Sequence, residues 1–558
     1  MKKRFILLAF LLIFTTLFST SGVVAYNETD YSDKNTVRVG LAYGSSALIA
    51  ANAYSPTGYD IGYYAEDGSF VALALLENTF ITAAKDKTVY VDGNVVSETA
   101  TDTAVRFGSY HLQLGDVFAT YDEAKAYALE VNEKLLAAGY DIEVFPAVYD
   151  DSYFVRIEHY SKIEYAQADI EKFKAVIDTE YTPVGNSSRG ITFIDMNSPH
   201  IICEFEFSDK WVAAVPHYVE DKTVYIRNGS TNYAGGFEYK ILSGDNITFI
   251  NVVSLKDYIM GVLPYEMSSS YPLEALRAQA ICARCYYLGS SNKHASYGFN
   301  VCATTNCQVY KGIGGVTDKI REAVETTEGM IVVYGNELVT TYFYSSNGGS
   351  SEDNSNVWGG KQYPYYKAVP DDFEELTVAN YGKWSSTVSR SNLDSLAQKY
   401  GLSDMANIYV SEFTEAGNVY EITMVDSSGK THKISQCDKV RTALSKYVKS
   451  ARFKISTSAV IYVNGTAMSD SVYNMNVIGS GGNVSKIQGN DVHVITSAGK
   501  EVMPSGDTFT FSGTGWGHNV GMSQLGAKGR ANAGWTGEDI VQYYFTETEV
   551  VINNSLKG

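Results

Sequence analysis

The stretch LPYEMSSSYPLEALRAQAICARCYYL, Leu263 to Leu288, gathers the residue types best suited to chemistry. Glu266 reads there as part of a short loop ahead of a strongly helical segment. Its neighbours Leu263, Pro264, Tyr265 and Met267 are apolar or aromatic. Burial penalises the charged form of a carboxyl group, so an apolar setting raises its pKa and suits it to donate a proton. Breaking a glycosidic bond requires such a donor for the leaving oxygen. Spacing alone favours the plainer alternative, a surface or capping glutamate. Hydrolysis ordinarily takes two carboxylates, and no second acid stands at a comparable motif. Glu274 falls in the first helical turn, where the helix dipole favours a carboxylate, so it reads as structural.

Arg277 and Arg284 are seven positions apart and therefore share a helix face. A solvated basic face is the default for such a pair. Arginine forks also suit carboxylates. An arginine touching Glu266 would lower its pKa and oppose an acid role, so both are assigned to substrate rather than to Glu266. Further on, HASYGFNVCATTNC places His294, Cys302 and Cys307 within fourteen residues. One imidazole and two thiolates are ligand chemistry for zinc, with a fourth position left for water or substrate. A Cys302–Cys307 disulfide and plain thiols stay open as alternatives. Cys282 and Cys285 lie three apart among alanines and read as buried small residues rather than a redox pair.

Gln308 and Tyr310 follow these cysteines, and Tyr344, Ser345 and Ser346 precede Gly348-Gly349. Glycine lets a backbone approach a ligand closely, and tyrosine faces pack on sugar rings. Near the C-terminus, FSGTGWGHNVGMSQLGAKG, Phe511 to Gly529, holds His518, Ser523 and Gln524 in a glycine-rich loop. A lone histidine is more often a hydrogen-bonding structural residue than a catalyst.

Taken together, these segments resemble the stage II sporulation protein D (SpoIID/LytB) family over about residues 235–350 and 436–545. VLPYEM, Val262 to Met267, matches the family's V-[VL]-P-x-E-M, whose glutamate is catalytic in members. Basic residues occupy the family positions of Arg277 and Arg284. CATTNCQVYKG resembles C-x-T-x-x-C-Q-x-Y, a segment where some members bind zinc. GWGHNVGMSQ matches the family's glycine-rich signature with Asn519 in place of a glycine, which implies a cleft-lining role for His518 and Gln524. The family often has histidine where this chain has Tyr344, and that weakens an acid–base role there. The resemblance implies a peptidoglycan lytic transglycosylase acting on MurNAc-GlcNAc glycan strands, stripped of stem peptides, in wall remodelling or sporulation. In such enzymes one glutamate is first acid, then base, while the sugar's 6-hydroxyl attacks and leaves a 1,6-anhydro end. Catalysis is thereby assigned to Glu266, and substrate contact to Arg277, Arg284, Gln308, Tyr344, Ser345, His518 and Gln524. The alternative is a non-catalytic wall-binding enhancer of an N-acetylmuramoyl-L-alanine amidase. A metal-dependent wall hydrolase using His294, Cys302 and Cys307 is a third reading.

Other elements must position these residues. The first 25 residues read as a secretion signal, with Lys2, Lys3 and Arg4, an apolar run from Phe5, and Val23-Val24-Ala25 as cleavage site. An uncleaved anchor is the rival, although the apolar run falls short of the roughly 20 residues of a comfortable span. The expected location is secreted, at the cell wall. Residues 36–98 alternate between apolar and polar and read as a small β-rich region. Residues 104–182 run strand, helix, strand, strand, helix, which suggests a ferredoxin-like βαββαβ unit. That unit resembles the SPOR domain, whose family binds stripped glycan strands. Residues 198–558 form the core with its cleft, with Leu273–Leu288 and Val316–Thr327 as helices. Met330–Tyr334 and Glu337–Tyr344 read as a hairpin around Gly335-Asn336. A β-rich insertion occupies about 373–510. The fold class is multi-domain α+β, with a mixed α/β core.

A chain of 558 residues suggests three or four domains at about 150 residues each. The net charge of -19 argues against nucleic acid or an anionic membrane surface as the main partner. Glycan strands and a wall amidase are the expected partners. Six cysteines in this length exclude a disulfide scaffold.

Overall fold

The computed structural model describes residues 26 and 28–557 apart from 223, 243–245, 375–381, 458–460, 464–465, 469–475, 479–481, 487–492, 497–498 and 503–506. The expected signal, residues 1–25, lies outside the described residues. Among those described, no helix is long and apolar enough to cross a membrane. The architecture is α+β, as expected, with several sheets and two main apolar cores.

The residues around 36–98 lend strands to two large sheets and to one three-stranded sheet instead of folding alone. Thr36–Ala42 runs antiparallel to Ile247–Ser254 and parallel to Val301–Cys302. It thereby joins a seven-stranded sheet that continues through Gly236–Ile241, Val212–Pro216, Tyr59–Tyr64 and Phe70–Leu76. Val37 and Val39 are fully buried in it. Phe80–Lys85 is buried along nearly its whole length, so it needs a strand on each side. It finds them in Ala50–Tyr54 and Ile191–Asp195.

The βαββαβ unit has the ferredoxin-like order. Its strands lie side by side as Tyr181–Gly185, Tyr110–Leu114, Ser152–Tyr160 and Val144–Tyr149, all antiparallel. Helix α1, Tyr121–Ala137, starts where the Thr120 hydroxyl accepts the Glu123 N–H at 3.3 Å. It buries Tyr121, Ala124, Ala128, Val131 and Leu135, one stripe at helical spacing. Helix α2, Ile163–Lys174, buries Ala166 and Phe173. The unit's sheet does not stop at its own edge. Val144–Tyr149 pairs in parallel with Ile201–Glu206, and the ladder continues into Ile191–Asp195 and Phe80–Lys85, ten strands in all.

Two helices follow the seven-stranded sheet. Helix α3, Leu255–Glu266, is capped by Ser254, whose hydroxyl accepts the Asp257 N–H at 3.0 Å. Glu266 is therefore the last residue of a helix, not part of a free loop. Pro264 lies in the final turn, where it removes an N–H and crowds the preceding turn, so the helix stops two residues later. Helix α4, Leu273–Ser290, begins after Pro272, which takes the cap position. Ala275, Ala278, Ala280 and Ala283 are all fully buried. Their small side chains let α3, Asp318–Glu325, Gln524–Asn532 and Gly537–Tyr544 close around α4.

The hairpin forms around Gly335-Asn336, but its second strand ends at Leu338. The Thr341 hydroxyl turns to the Cys282 carbonyl at 2.7 Å, and Phe343–Tyr344 pairs instead with Met522–Ser523. That exchange brings the C-terminal signature onto the helical core. The chain between Lys383 and Thr514 builds sheets of its own over a separate apolar core that includes Leu393, Ile422, Met424 and Phe511. Glu352 ties it down by accepting from Asn418 Nδ2 at 2.8 Å and from the Thr414 hydroxyl.

Arg530, 1 % exposed, is paired with the fully buried Asp371, and the Tyr544 hydroxyl contacts both. Removing one partner of a buried pair strands the other charge, at a cost of roughly 3–5 kcal/mol. Asp371→Ala is expected to lower the unfolding free energy measured in urea by that order. The double change Asp371→Leu with Arg530→Met should recover much of the loss, because no unpaired charge then remains.

Candidate active site

Glu266 faces a cleft of about 690 Å³ whose walls include Tyr265, Ser268, Tyr271, Gly315, Ser345, Gln524 and Leu525. Among the described lining residues it is the only acid. Burial pushes its carboxyl above the ordinary glutamate value, and hydrogen bonds from the Val309 N–H and the Gln524 side chain partly oppose that. The Val309 N–H donates to Oε1 at 2.8 Å. The negative end of the α3 dipole acts in the same direction as burial. A carboxyl group so held is suited to carry a proton into the cleft.

The segment that supplies the Val309 amide is itself anchored on both sides. Gln308, 1 % exposed, donates to the Tyr258 hydroxyl at 3.1 Å and the Ala283 carbonyl at 3.3 Å. Tyr310 donates to Asn251 Oδ1 at 2.6 Å. A Cβ on Gly261 would stand 2.4 Å from the Tyr310 ring, so only glycine lets α3 approach this closely. Gln308 therefore positions the loop that holds Glu266 and is not placed to touch substrate, correcting the expectation.

Gln524 and Ser345 line the cleft as expected. Gln524 opens the helix Gln524–Asn532, capped by the Ser523 hydroxyl, which accepts the Gly526 N–H at 3.1 Å. Its amide also donates to Gln279 of α4 at 3.4 Å. Other expected contacts lie elsewhere. Arg284 is 3 % exposed and donates to the Met330 carbonyl at 3.0 Å. Burial lowers its pKa to about 10. Arg277 pairs with Glu274 at 3.3 Å and Glu538 at 3.2 Å, fastening α4 to Gly537–Tyr544. Because α4 is wrapped on nearly all sides, its arginine face meets protein where a solvated or substrate-facing surface was expected.

Tyr344 is buried with its ring against His518, centroids 5.1 Å apart, and neither lines the cleft. His518 Nδ1 accepts the Val520 N–H and Nε2 donates to the Phe343 carbonyl, each at 3.1 Å. Burial pushes its pKa down to about 4, so it is a neutral residue that shapes the loop. Asn519 takes a left-handed φ of 68°, a conformation that asparagine tolerates better than most. That explains how it stands in for glycine.

His294 Nε2 and Cys307 Sγ are 3.4 Å apart, and with Cys302 Sγ all three ligand atoms lie within 4.8 Å of one another. Zinc bond lengths imply ligand separations of roughly 3.5–3.8 Å, so this donor set fits the metal. Neither cysteine is in a disulfide. Cys282 and Cys285 are buried within α4, where Cys285 Sγ accepts the Val332 N–H at 3.2 Å. Sequence reasoning missed Tyr271, Ser268, Gly315 and the Val309 amide. Tyr271 and Ser268 stood inside the same motif, but a backbone amide from 43 positions away left no local signal.

The family SpoIID, stage II sporulation protein, matches residues 243–334, a range holding Glu266, the cysteine segment and the Val309 loop. Over these residues the chain is similar to the stage II sporulation protein D family. A Bacillus subtilis stage II sporulation protein D is 26% identical over 313 residues, covering 53% of this chain and 74% of the relative. The amidase enhancer of Bacillus subtilis is 30% identical over 305 residues, covering 52% of this chain but only 40% of the enhancer. An uncharacterised protein of Brachyspira hyodysenteriae is 28% identical over 311 residues, covering 56% and 70%.

A carboxyl whose folded pKa is raised binds its proton more tightly in the native state than in the unfolded one. Its contribution to stability is full below the unfolded value of about 4.3 and is lost as pH rises through the raised one. Glu266→Gln carries no such penalty. Thermal melts should show the variant more stable than wild type at neutral pH, with the difference vanishing below about pH 4. Equal midpoints at all pH values would deny the raised pKa.

Proposed function

We propose that this protein cleaves peptidoglycan glycan strands as a lytic transglycosylase, with Glu266 as acid and then base. The carrying observation is a single carboxyl, its pKa raised, in a cleft with no second acid among its described walls. Protonated Glu266 gives its proton to the glycosidic oxygen as the bond to C1 breaks. The resulting carboxylate takes the proton of the muramic acid 6-hydroxyl as that oxygen bonds to C1, forming the 1,6-anhydro product and regenerating the acid. No water is consumed, so no second carboxylate is needed to activate one. Val309 and Gln524 orient the carboxyl through both roles. Tyr265 and Tyr271 offer ring faces to the sugars. Similarity to the SpoIID family supports a role at the cell wall, in sporulation or remodelling.

His294, Cys302 and Cys307 would hold a zinc ion. Bound there, it would supply structural cross-linking, since Cys307 lies two residues before Val309 and none of the three lines the Glu266 cleft. The unit at 104–182 is assigned to glycan binding on its ferredoxin-like strand order and its resemblance to SPOR domains. The signal-like first 25 residues support secretion to the wall. A second reading, a non-catalytic partner of a wall amidase, is supported by the relative named amidase enhancer.

Mass spectrometry of products from purified glycan strands, with and without stem peptides, separates these readings. Anhydro-ended fragments are expected from stripped strands, with the rate falling about 10²–10⁴-fold in Glu266→Gln. Reducing ends would mean hydrolysis. Retained strand binding without products from either protein would favour the amidase partner.

A further inference from the structure

A second cluster of ligating side chains, none of which lines the Glu266 cleft, lies at the seam of the ten-stranded sheet. Asp86, His111 and Glu204 are 4 %, 0 % and 5 % exposed. One ligand atom from each lies within 4.8 Å of the others. They come from three distant parts of the chain. Asp86 follows strand Phe80–Lys85, His111 is in Tyr110–Leu114, and Glu204 is in Ile201–Glu206. The cluster thus sits where the βαββαβ unit meets the strands beside it.

Two of its polar atoms have no hydrogen-bond partner among the described residues. His111 Nδ1 lies 2.7 Å from the Glu158 carbonyl, which can only accept, so Nδ1 carries a hydrogen. Nε2 then faces inward, 3.1 Å from Glu204 Oε1 but without an aligned hydrogen bond. Asp86 Oδ2 accepts the Ser187 N–H at 2.6 Å, whereas Oδ1 is buried and unpartnered. Glu204 Oε1 accepts from the Thr192 hydroxyl at 2.9 Å, and its Oε2 from Arg156 at 2.7 Å. Orphaned polar atoms in an interior are costly, and two converging on one point call for a shared partner.

We infer that Asp86, His111 and Glu204 bind a divalent first-row metal ion, with zinc as the probe. One imidazole and two carboxylates are a zinc donor set. The surroundings have the form of an outer shell. The imidazole gives its other N–H to a backbone carbonyl, and the carboxylates are held by Ser187, Thr192 and Arg156. The ion would pin the βαββαβ unit to the neighbouring strands and with them to the core. It is independent of the cysteine-containing cluster and of the Glu266 reading.

The test uses the full chain, loaded with zinc and desalted. Cys302→Ser with Cys307→Ser removes the thiolate cluster as a source of metal. Elemental analysis should find about one zinc per chain in that variant, and none when Asp86→Asn and His111→Gln are added. Anomalous scattering across the zinc edge from wild-type crystals needs no variant, so a folding defect cannot obscure the answer. A peak is expected about 2.0–2.2 Å from Asp86 Oδ1, His111 Nε2 and Glu204 Oε1. No zinc in the cysteine variant, with no peak at this position, would overturn the inference. The space would then hold a water molecule, or a proton on His111 paired with Glu204.

Discussion

One hydrogen bond, from the Val309 amide to Glu266, organises the candidate site. It constrains the carboxyl at the end of α3 by a loop that folds back from beyond α4. The competing effects on Glu266 balance in one direction. Burial and the helix terminus raise its pKa, and the amide and Gln524 lower it by less. Without these two donors the side chain would be free to leave the cleft. Without burial it would be an ordinary ionised glutamate. Much of the surrounding core keeps this loop in register, from Gln308 on Tyr258 to Tyr310 on Asn251.

The same logic explains why both signature segments belong to one site. Helix α4 is a buried strut, and its alanines let the Gln524 helix pack closely enough for Gln524 to reach Gln279 and Glu266. The arginines of α4 serve that packing. Arg277 bridges to Glu538, and Arg284 donates to the first carbonyl of strand Met330–Tyr334. His518, Tyr344 and Trp358 form an aromatic support behind the loop, with His518 held neutral by burial and oriented by its two hydrogen bonds.

Much of this was legible in the residues. Helical spacing and good helix formers identified α4 over Leu273–Leu288, and the strand–helix order identified the ferredoxin-like unit. The apolar neighbours of Glu266 foretold its raised pKa. The boundaries of the small β-rich region were less legible. Period-two alternation says that a strand has a buried face, not which strand will pair with it. Thr36–Ala42 therefore pairs with residues more than 200 positions away, and two sheets are shared between segments that look separate.

The sequence by itself determined the local chemistry: an isolated acid in an apolar motif, a histidine with two cysteines at ligand spacing, and helices of a given length. These depend on neighbours a few positions away. Only the tertiary structure decided which polar groups face the cleft. Arg284 and His518 carry the same side chains whether exposed or buried, and what keeps them out of the cleft is the packing of remote elements. The same holds for Asp86, His111 and Glu204, which are unremarkable along the chain and become a cluster only because three strands converge.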